Sequence, residues 1–76
     1  MAVNRYVKPN ADGGWDILKE GHRRPLVHCE TQGKAVARAR ALTRREGGGE
    51  VRVLNAMGKI VRETTVAGAD GARRVA

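Results

Sequence analysis

The side chains best suited to chemistry are one cysteine and two histidines in a short stretch of the chain. They are His22, His28 and Cys29. A cysteine just before a helix can be activated as a nucleophile by the helix dipole. On a strand, however, neighbouring side chains point to opposite faces, so His28 and Cys29 do not form a Cys–His pair. We therefore expect Cys29 to be a small buried residue rather than a reactive thiol.

The remaining patterns of chemical interest do not build an enzyme site. A metal site from these three residues would need a further ligand and unusual loop geometry. The glycines of ADGGWD lie between two predicted strands, whereas a phosphate-binding loop opens a helix. The carboxylates are scattered beside cations and form no acid–base pair. Those within residues 1–67 are Asp12, Asp16, Glu20, Glu30, Glu46, Glu50 and Glu63. We predict a non-enzymatic protein with no catalytic residue, no metal and no cofactor.

Length and composition also favour a small binding protein. A chain of 76 residues makes one domain with a thin core, because it buries only roughly 60 to 65% of its unfolded surface. A single cysteine allows no internal disulfide, and neither a secretion signal nor a membrane-spanning apolar run is recognisable. We expect a reducing cytoplasm, with no membrane partner. The Arg, Ala and Gly bias suggests a bacterial or phage-like source.

The positive charge is concentrated on one segment. The chain has 15 Lys and Arg against 8 Asp and Glu, for a net charge of +7. From Gln32 to Glu46 there are five cations and one anion. A small cationic protein is attracted to nucleic acid, to acidic proteins or to anionic lipid, and charge alone does not choose among them.

This cationic segment is also the one predicted helix, within Thr31 to Gly49. Thr31 suits the N-cap position, and the glycines after Glu46 allow the chain to reverse through left-handed backbone angles. At about 100° per residue, apolar side chains gather on one side of the helix and basic ones on the other. The apolar residues are Ala35, Val36, Ala39 and Leu42. The basic residues are Lys34, Arg38, Arg44 and Arg45, with Arg40 at the edge.

The segments on either side of the helix read as strands. Alternation predicts strands at 3–8, 15–20, 26–30, 50–54 and 60–66, with tight turns at NADGG and NAMGK. Trp15 and Ile17 share the face that we expect to meet the helix, with Trp15 at the core centre. The sequence thus predicts an α+β fold, β-β-β-α-β-β, with one helix on one face of an antiparallel sheet. Residues 1–67 form the domain, and residues 68–76 form a disordered tail.

Three segments together resemble a bacterial family. They are KPNADGGWDILKEGHRR, TQGKAVARARALTRREGGG and EVRVLNAMGKI. This combination is similar to a family of short bacterial proteins catalogued only as a domain of unknown function. Its members carry a Gly-Gly-Trp, a Lys-x-Glu-Gly turn, a Thr-led Ala-rich helix and a closing hairpin with Gly-(Arg or Lys)-Ile. Gly33 and Lys34 depart from the pattern at the helix start, where similar sequences often have Lys, Ala and Glu. The resemblance supports the fold and supplies no site residues.

Two function classes follow from these patterns. The first is weak, sequence-independent binding of DNA or RNA through phosphate contacts. The residues predicted for it are Arg23, Arg24, Lys34, Arg38, Arg40, Arg44 and Arg45. The second is a protein-interaction module with an acidic partner, or a homodimer formed through Leu18, Leu54 and Leu26 on the other sheet face. The alternative to the first class is that the basic helix face is simply solvated.

Overall fold

The computed structural model describes residues 3–68, in which five strands and one helix follow the predicted order. The elements are β1 (Arg5–Pro9), β2 (Trp15–Lys19), β3 (Val27–Cys29), α1 (Gln32–Arg45), β4 (Gly48–Leu54) and β5 (Ile60–Ala67). The α+β class and the β-β-β-α-β-β order are therefore confirmed. The predicted tail at 68–76 lies outside the described residues, apart from Gly68.

All five strands form one mixed sheet in the order β3-β2-β1-β4-β5. Three of the pairings are antiparallel, but β1 and β4 run parallel, with Arg5 beside Val51 and Val7 beside Val53. The expectation of an antiparallel sheet is corrected at this one pair. The physical reason is that α1 reverses the chain, so β4 leaves the helix in the same direction as β3 and β1.

Local turn chemistry produces the two hairpins that the sequence predicts. The Asn10 side chain accepts a hydrogen bond from the backbone N–H of Asp12 at 2.7 Å, and this contact shapes the turn between β1 and β2. The turn between β4 and β5 closes with the Gly58 N–H donating to the Asn55 carbonyl at 2.9 Å. Gly58 has a φ of +83°, the left-handed conformation expected of it.

The helix begins and ends where the sequence predicts. Thr31 is the N-cap, and its hydroxyl accepts the N–H of Lys34 at 3.1 Å. At the other end the Gly47 N–H donates to the Arg44 carbonyl at 3.3 Å. The next residue, Gly48, has a φ of +93° and already belongs to β4. A Cβ at Gly48 would lie 2.8 Å from the Val66 carbonyl oxygen, so only glycine fits here.

The core lies between α1 and the centre of the sheet. Its fully buried apolar residues are Val7, Ile17, Ala35, Ala39, Val51 and Val53. Ile17 therefore holds the central position that was predicted for Trp15. Trp15 does pack against this core, but it is only half-buried because it is the first residue of β2, at the end of the sheet.

The buried stripe of the helix differs from the prediction at one position. Ala35 and Ala39 are buried as expected, while Val36 and Leu42 are half-buried on either side of them. The third buried residue is Thr43, one turn beyond Ala39. A hydroxyl is suitable at this position because it accepts a hydrogen bond from the buried guanidinium of Arg5.

We expect the two isoleucines Ile17 and Ile60 to differ sharply in their contribution to stability. Ile17 is 0% exposed, so Ile17→Ala should lower the free energy of unfolding by about 2 to 5 kcal/mol. Ile60 is 50% exposed, and Ile60→Ala should lower it by no more than about 0.5 kcal/mol. Urea denaturation followed by tryptophan fluorescence measures both. Equal losses would contradict this description of the core.

Candidate nucleic-acid interface

All seven basic residues predicted to bind nucleic acid are exposed. Five lie on α1, and Arg23 and Arg24 lie in the turn between β2 and β3. Both groups include residues at the same end of the sheet. The pairing of Arg5 with Lys19 brings the end of β2 beside the start of β1, and the start of β1 contacts the end of α1. Arg23 and Arg24 therefore emerge at the end where α1 carries Arg44 and Arg45.

The helix cations form two rows rather than the single face that was expected. At about 100° per residue, Lys34, Arg38 and Arg45 lie within about 40° of one another. Arg40 and Arg44, one turn apart, form a second row on the opposite flank of the buried stripe. Arg44 therefore belongs with Arg40 and not with Arg38. We call these the first row and the second row.

The second row lines a cleft of about 680 Å³ between α1 and the last residues of β5. Arg40, Arg44 and Arg45 contribute the charge, while small side chains of the helix and the strand contribute apolar surface. These small residues are Ala37, Ala41, Val66 and Ala67. Lys34 and Arg38 do not line the cleft. Arg45 is thus the one helix cation that belongs to the first row and also borders the cleft.

The carboxylates nearest the helix end are engaged with other cations. Arg5 is only 2% exposed, and its guanidinium donates to the Thr43 hydroxyl at 3.2 Å and binds the Glu46 carboxylate. Lys19 lies 3.6 Å from the other oxygen of Glu46. These contacts hold the pKa of Glu46 below its ordinary value, chiefly through the hydrogen bond from Arg5. Glu46 therefore neutralises a buried cation, although it is adjacent to Arg45 in sequence.

A second group of charges covers the sheet face that α1 leaves open. Arg52 donates to Glu63 at 2.9 Å, binds Glu50 and donates to the Tyr6 hydroxyl at 3.3 Å. Its guanidinium also lies 5.8 Å from the centre of the Tyr6 ring. The hydrogen bond to Glu63, followed by the one to Tyr6, raises the pKa of Arg52 above its ordinary value. Two more carboxylates are thus used within the sheet.

The seven predicted cations form no salt bridge with any residue of the part of the chain that the structure describes. By contrast, Glu46, Glu50 and Glu63 all pair with cations of the sheet. Exposed arginines in the last helical turn also suit the negative end of the helix dipole, so Arg44 and Arg45 stabilise α1 itself. Within residues 3–68, the unpaired positive charge is therefore concentrated on the helix and in the β2–β3 turn.

Cys29 and His28 lie on opposite faces of the sheet, as strand alternation predicts, and His22 is exposed in the β2–β3 turn. Cys29 is half-buried and packs against the core, while the His28 side chain is on the open face. There the His28 Nδ1 lies 2.7 Å from Asp16 Oδ1, and Asn10 donates to the other Asp16 oxygen at 3.0 Å. Within residues 3–68, no cluster of three or more His, Cys, Asp or Glu side chains is arranged to hold a metal ion.

The open face also carries the residues of the predicted homodimer. Leu18 and Leu54 are half-buried and line a hollow of about 260 Å³ with Tyr6, and Leu26 is 48% exposed. The Arg52 network occupies the centre of the same face, so apolar surface is limited to one part of it. The dimer stays a prediction.

The comparisons with known proteins concern the family. A family model described as "Uncharacterized protein conserved in bacteria (DUF2188)" matches residues 5–66. The chain belongs to this family. Membership in DUF2188 confirms the bacterial family resemblance and leaves the activity open. No curated protein and no solved structure matches the chain. In the described part of the chain, no helix is long and apolar enough to cross a membrane.

Sequence reasoning missed the two polar residues that hold the helix end in place, Arg5 and Thr43. One signal for Arg5 was available, because it alternates with Val3 and Val7 and so shares their apolar face. Thr43 follows Ala39 by one turn and continues its stripe. A buried arginine requires polar partners, so these two positions together would have predicted their contact.

Acid titration tests the contact between Arg5 and Glu46. Because the pKa of Glu46 is lower in the folded state, its ionised form stabilises the fold above the ordinary carboxyl pKa. This stabilisation is lost as the pH falls through the folded-state value. We expect Glu46→Gln to be less stable than the parent at neutral pH and less sensitive to acid. Urea midpoints from pH 7 down to pH 3 measure this.

Glu30→Gln is the matched control for this substitution. Its side chain is exposed and makes no hydrogen bond or ion pair with any residue between 3 and 68. This variant should keep the stability and acid dependence of the parent. If Glu46→Gln also kept them, Glu46 would contribute nothing to the stability of the helix end.

Proposed function

We propose that the protein is a non-enzymatic module that binds nucleic acid through the phosphate backbone. The observation that supports this is the concentration of unpaired positive charge on α1 and in the β2–β3 turn. Glu46, Glu50 and Glu63 bind Arg5, Lys19 and Arg52 of the sheet, whereas the seven exposed cations of the helix and the turn form no salt bridge with any residue from 3 to 68. Three other exposed cations are also unpaired in this range but lie on the strands and the closing hairpin, namely Lys8, Lys59 and Arg62. A guanidinium without an internal partner is available to donate to phosphate oxygens.

The first row and the β2–β3 turn form the main contact in this proposal. Arg38 and Arg45 lie two turns apart on the exposed side of α1, with Lys34 beside them, and the turn adds Arg23 and Arg24 near the end of the helix. Phosphate contacts of this kind set affinity and orientation but carry no sequence information. Tyr6 lies beneath Arg52 and Trp15 packs against the core, so neither aromatic ring is free to stack on bases.

Binding is therefore expected to be weak and independent of sequence. Dissociation constants of about 10⁻⁶ to 10⁻⁴ M at physiological salt are typical of such contacts. We propose the cytoplasm as the compartment, because nucleic acid is accessible there and a lone cysteine stays reduced. Nucleic-acid binding predicts that added nucleic acid raises the mass of the protein in solution. An acidic protein partner, or a homodimer without nucleic-acid binding, predicts that the mass does not change when nucleic acid is added.

The salt dependence of binding provides the decisive test. If about four phosphates are neutralised, log K should fall against log salt with a slope of roughly −3 to −4. Replacing Arg38 and Arg45 together with Ala should reduce the size of the slope by about two, since two phosphate contacts are lost. Fluorescence anisotropy with duplex and single-stranded oligonucleotides at several salt concentrations measures it. Both residues are exposed, so the variant should stay folded.

The matched control removes two charges elsewhere. Lys59 and Arg62 are exposed, lie in the closing hairpin and strand, and form no salt bridge with any residue from 3 to 68. Replacing both with Ala lowers the net charge by the same amount as the Arg38 and Arg45 substitutions. It should leave the slope of log K against log salt unchanged. Equal effects of the two double substitutions would mean that overall charge alone governs binding. No binding at low salt would overturn the proposal.

A further inference from the structure

Within residues 3–68, strand β5 lies at the edge of the sheet. It has eight residues and pairs there with β4 on one side, with no strand of this range on its other side, whereas the opposite edge strand, β3, has three residues. Along an edge strand, alternate backbone N–H and C=O groups point away from the sheet and can pair with another chain. Its sequence, IVRETTVA, is rich in β-branched residues that favour strand pairing. A long edge of this kind can accept an additional strand.

The cleft described above borders the last part of this edge. One wall consists of Thr65, Val66 and Ala67 of β5 with Gly68, and the other wall is α1. Arg40, Arg44 and Arg45 line it, and they form no salt bridge within the described chain. Any strand added alongside this part of β5 therefore meets three guanidinium groups that have no salt-bridge partner among residues 3–68. The cleft thus places three arginines beside the outward-pointing backbone groups of the β5 edge, and we call these arginines the cationic border.

This cationic border decides which strand fits. A second copy pairing through β5 would add the positive charge of its own Arg40 and Arg44 to a surface that is already cationic, which does not favour association. An extended segment with carboxylates at alternate positions would instead direct one row of acids towards the arginines. Arginine and carboxylate form strong, often bidentate, hydrogen bonds.

We propose that the β5 edge and its cleft bind an extended acidic segment of a partner protein as an added strand. The main-chain hydrogen bonds of the edge supply affinity, and the arginines select for negative charge. This goes beyond the proposed nucleic-acid binding, which depends mainly on the first row and the β2–β3 turn. The two activities share only Arg45 and the second row, so substitutions can separate them.

The test compares two peptides of equal charge against the full chain. The first alternates Glu and Val over eight residues and can form a strand. The second alternates Glu and Pro, and its prolines lack the N–H that strand pairing requires. We expect the Glu-Val peptide to bind in anisotropy titrations and the Glu-Pro peptide to bind at least tenfold more weakly. Amide chemical-shift changes should concentrate on β5. Equal binding of the two peptides would overturn strand addition.

Two double substitutions locate the contact. Arg40→Ala with Arg44→Ala should weaken binding of the Glu-Val peptide at least tenfold, while Lys34→Ala with Arg38→Ala changes the charge equally but lies outside the cleft. The second pair should leave peptide binding within twofold of the parent. If both pairs weaken it equally, the cleft is not the site and the inference fails.

The parent protein and its variants also test whether a second copy or nucleic acid occupies this edge. Light scattering measures whether the protein is a dimer without peptide. A dimer that is lost when Thr65 is replaced with Pro would assign the edge to a second copy and overturn the inference. The outcome for nucleic acid has two parts: an oligonucleotide displaces the bound peptide, and its own binding requires Arg40 and Arg44. Both results together would assign the cleft to nucleic acid. If the peptide fails to bind while oligonucleotide binding still depends on Arg38 and Arg45, only this inference fails. Peptide binding without oligonucleotide binding would instead overturn the proposed function alone.

Discussion

The buried guanidinium of Arg5 is the constraint on which the structure depends most. It lies on the central strand, and its charge must be satisfied inside a thin core. The Glu46 carboxylate pairs with this charge and the Thr43 hydroxyl accepts one of its hydrogen bonds, and both belong to the end of the helix region. The buried Nε of Arg5 has no hydrogen-bond partner within residues 3–68. The contact of Arg5 with Thr43 and Glu46 therefore holds the end of α1 against the start of β1. Lys19 joins the same carboxylate, which ties the end of β2 to this point.

The pairing of carboxylates with cations of the sheet helps to explain why the helix surface is positively charged. Glu46 serves Arg5, while Glu50 and Glu63 serve Arg52. Few acids remain for the cations of α1, which keep their charge exposed to solvent. The basic surface is thus a consequence of how the fold uses its acids as well as of how many arginines it has.

Local signals in the sequence predicted the fold better than they predicted the site. Thr31, Asn10 and Gly58 act on nearby backbone, so the helix start and the hairpins were predictable. The parallel pairing of β1 with β4 joins residues far apart in sequence, and no local pattern encodes it. The site shows the same division. Periodicity identified the helix cations, but the cleft exists only because β5 lies at the sheet edge beside Arg40 and Arg44.

The central place of β1 also governs the order in which the chain can fold. Its partner on one side, β2, follows within a few residues, but its partner on the other side, β4, begins only at Gly48. During synthesis, the first three strands and the helix therefore exist before β1 is paired on both sides. Closing this long loop slows folding and leaves an apolar edge open in the meantime. In a nascent or partly folded chain, we expect mispairing with another copy to begin at that transient edge.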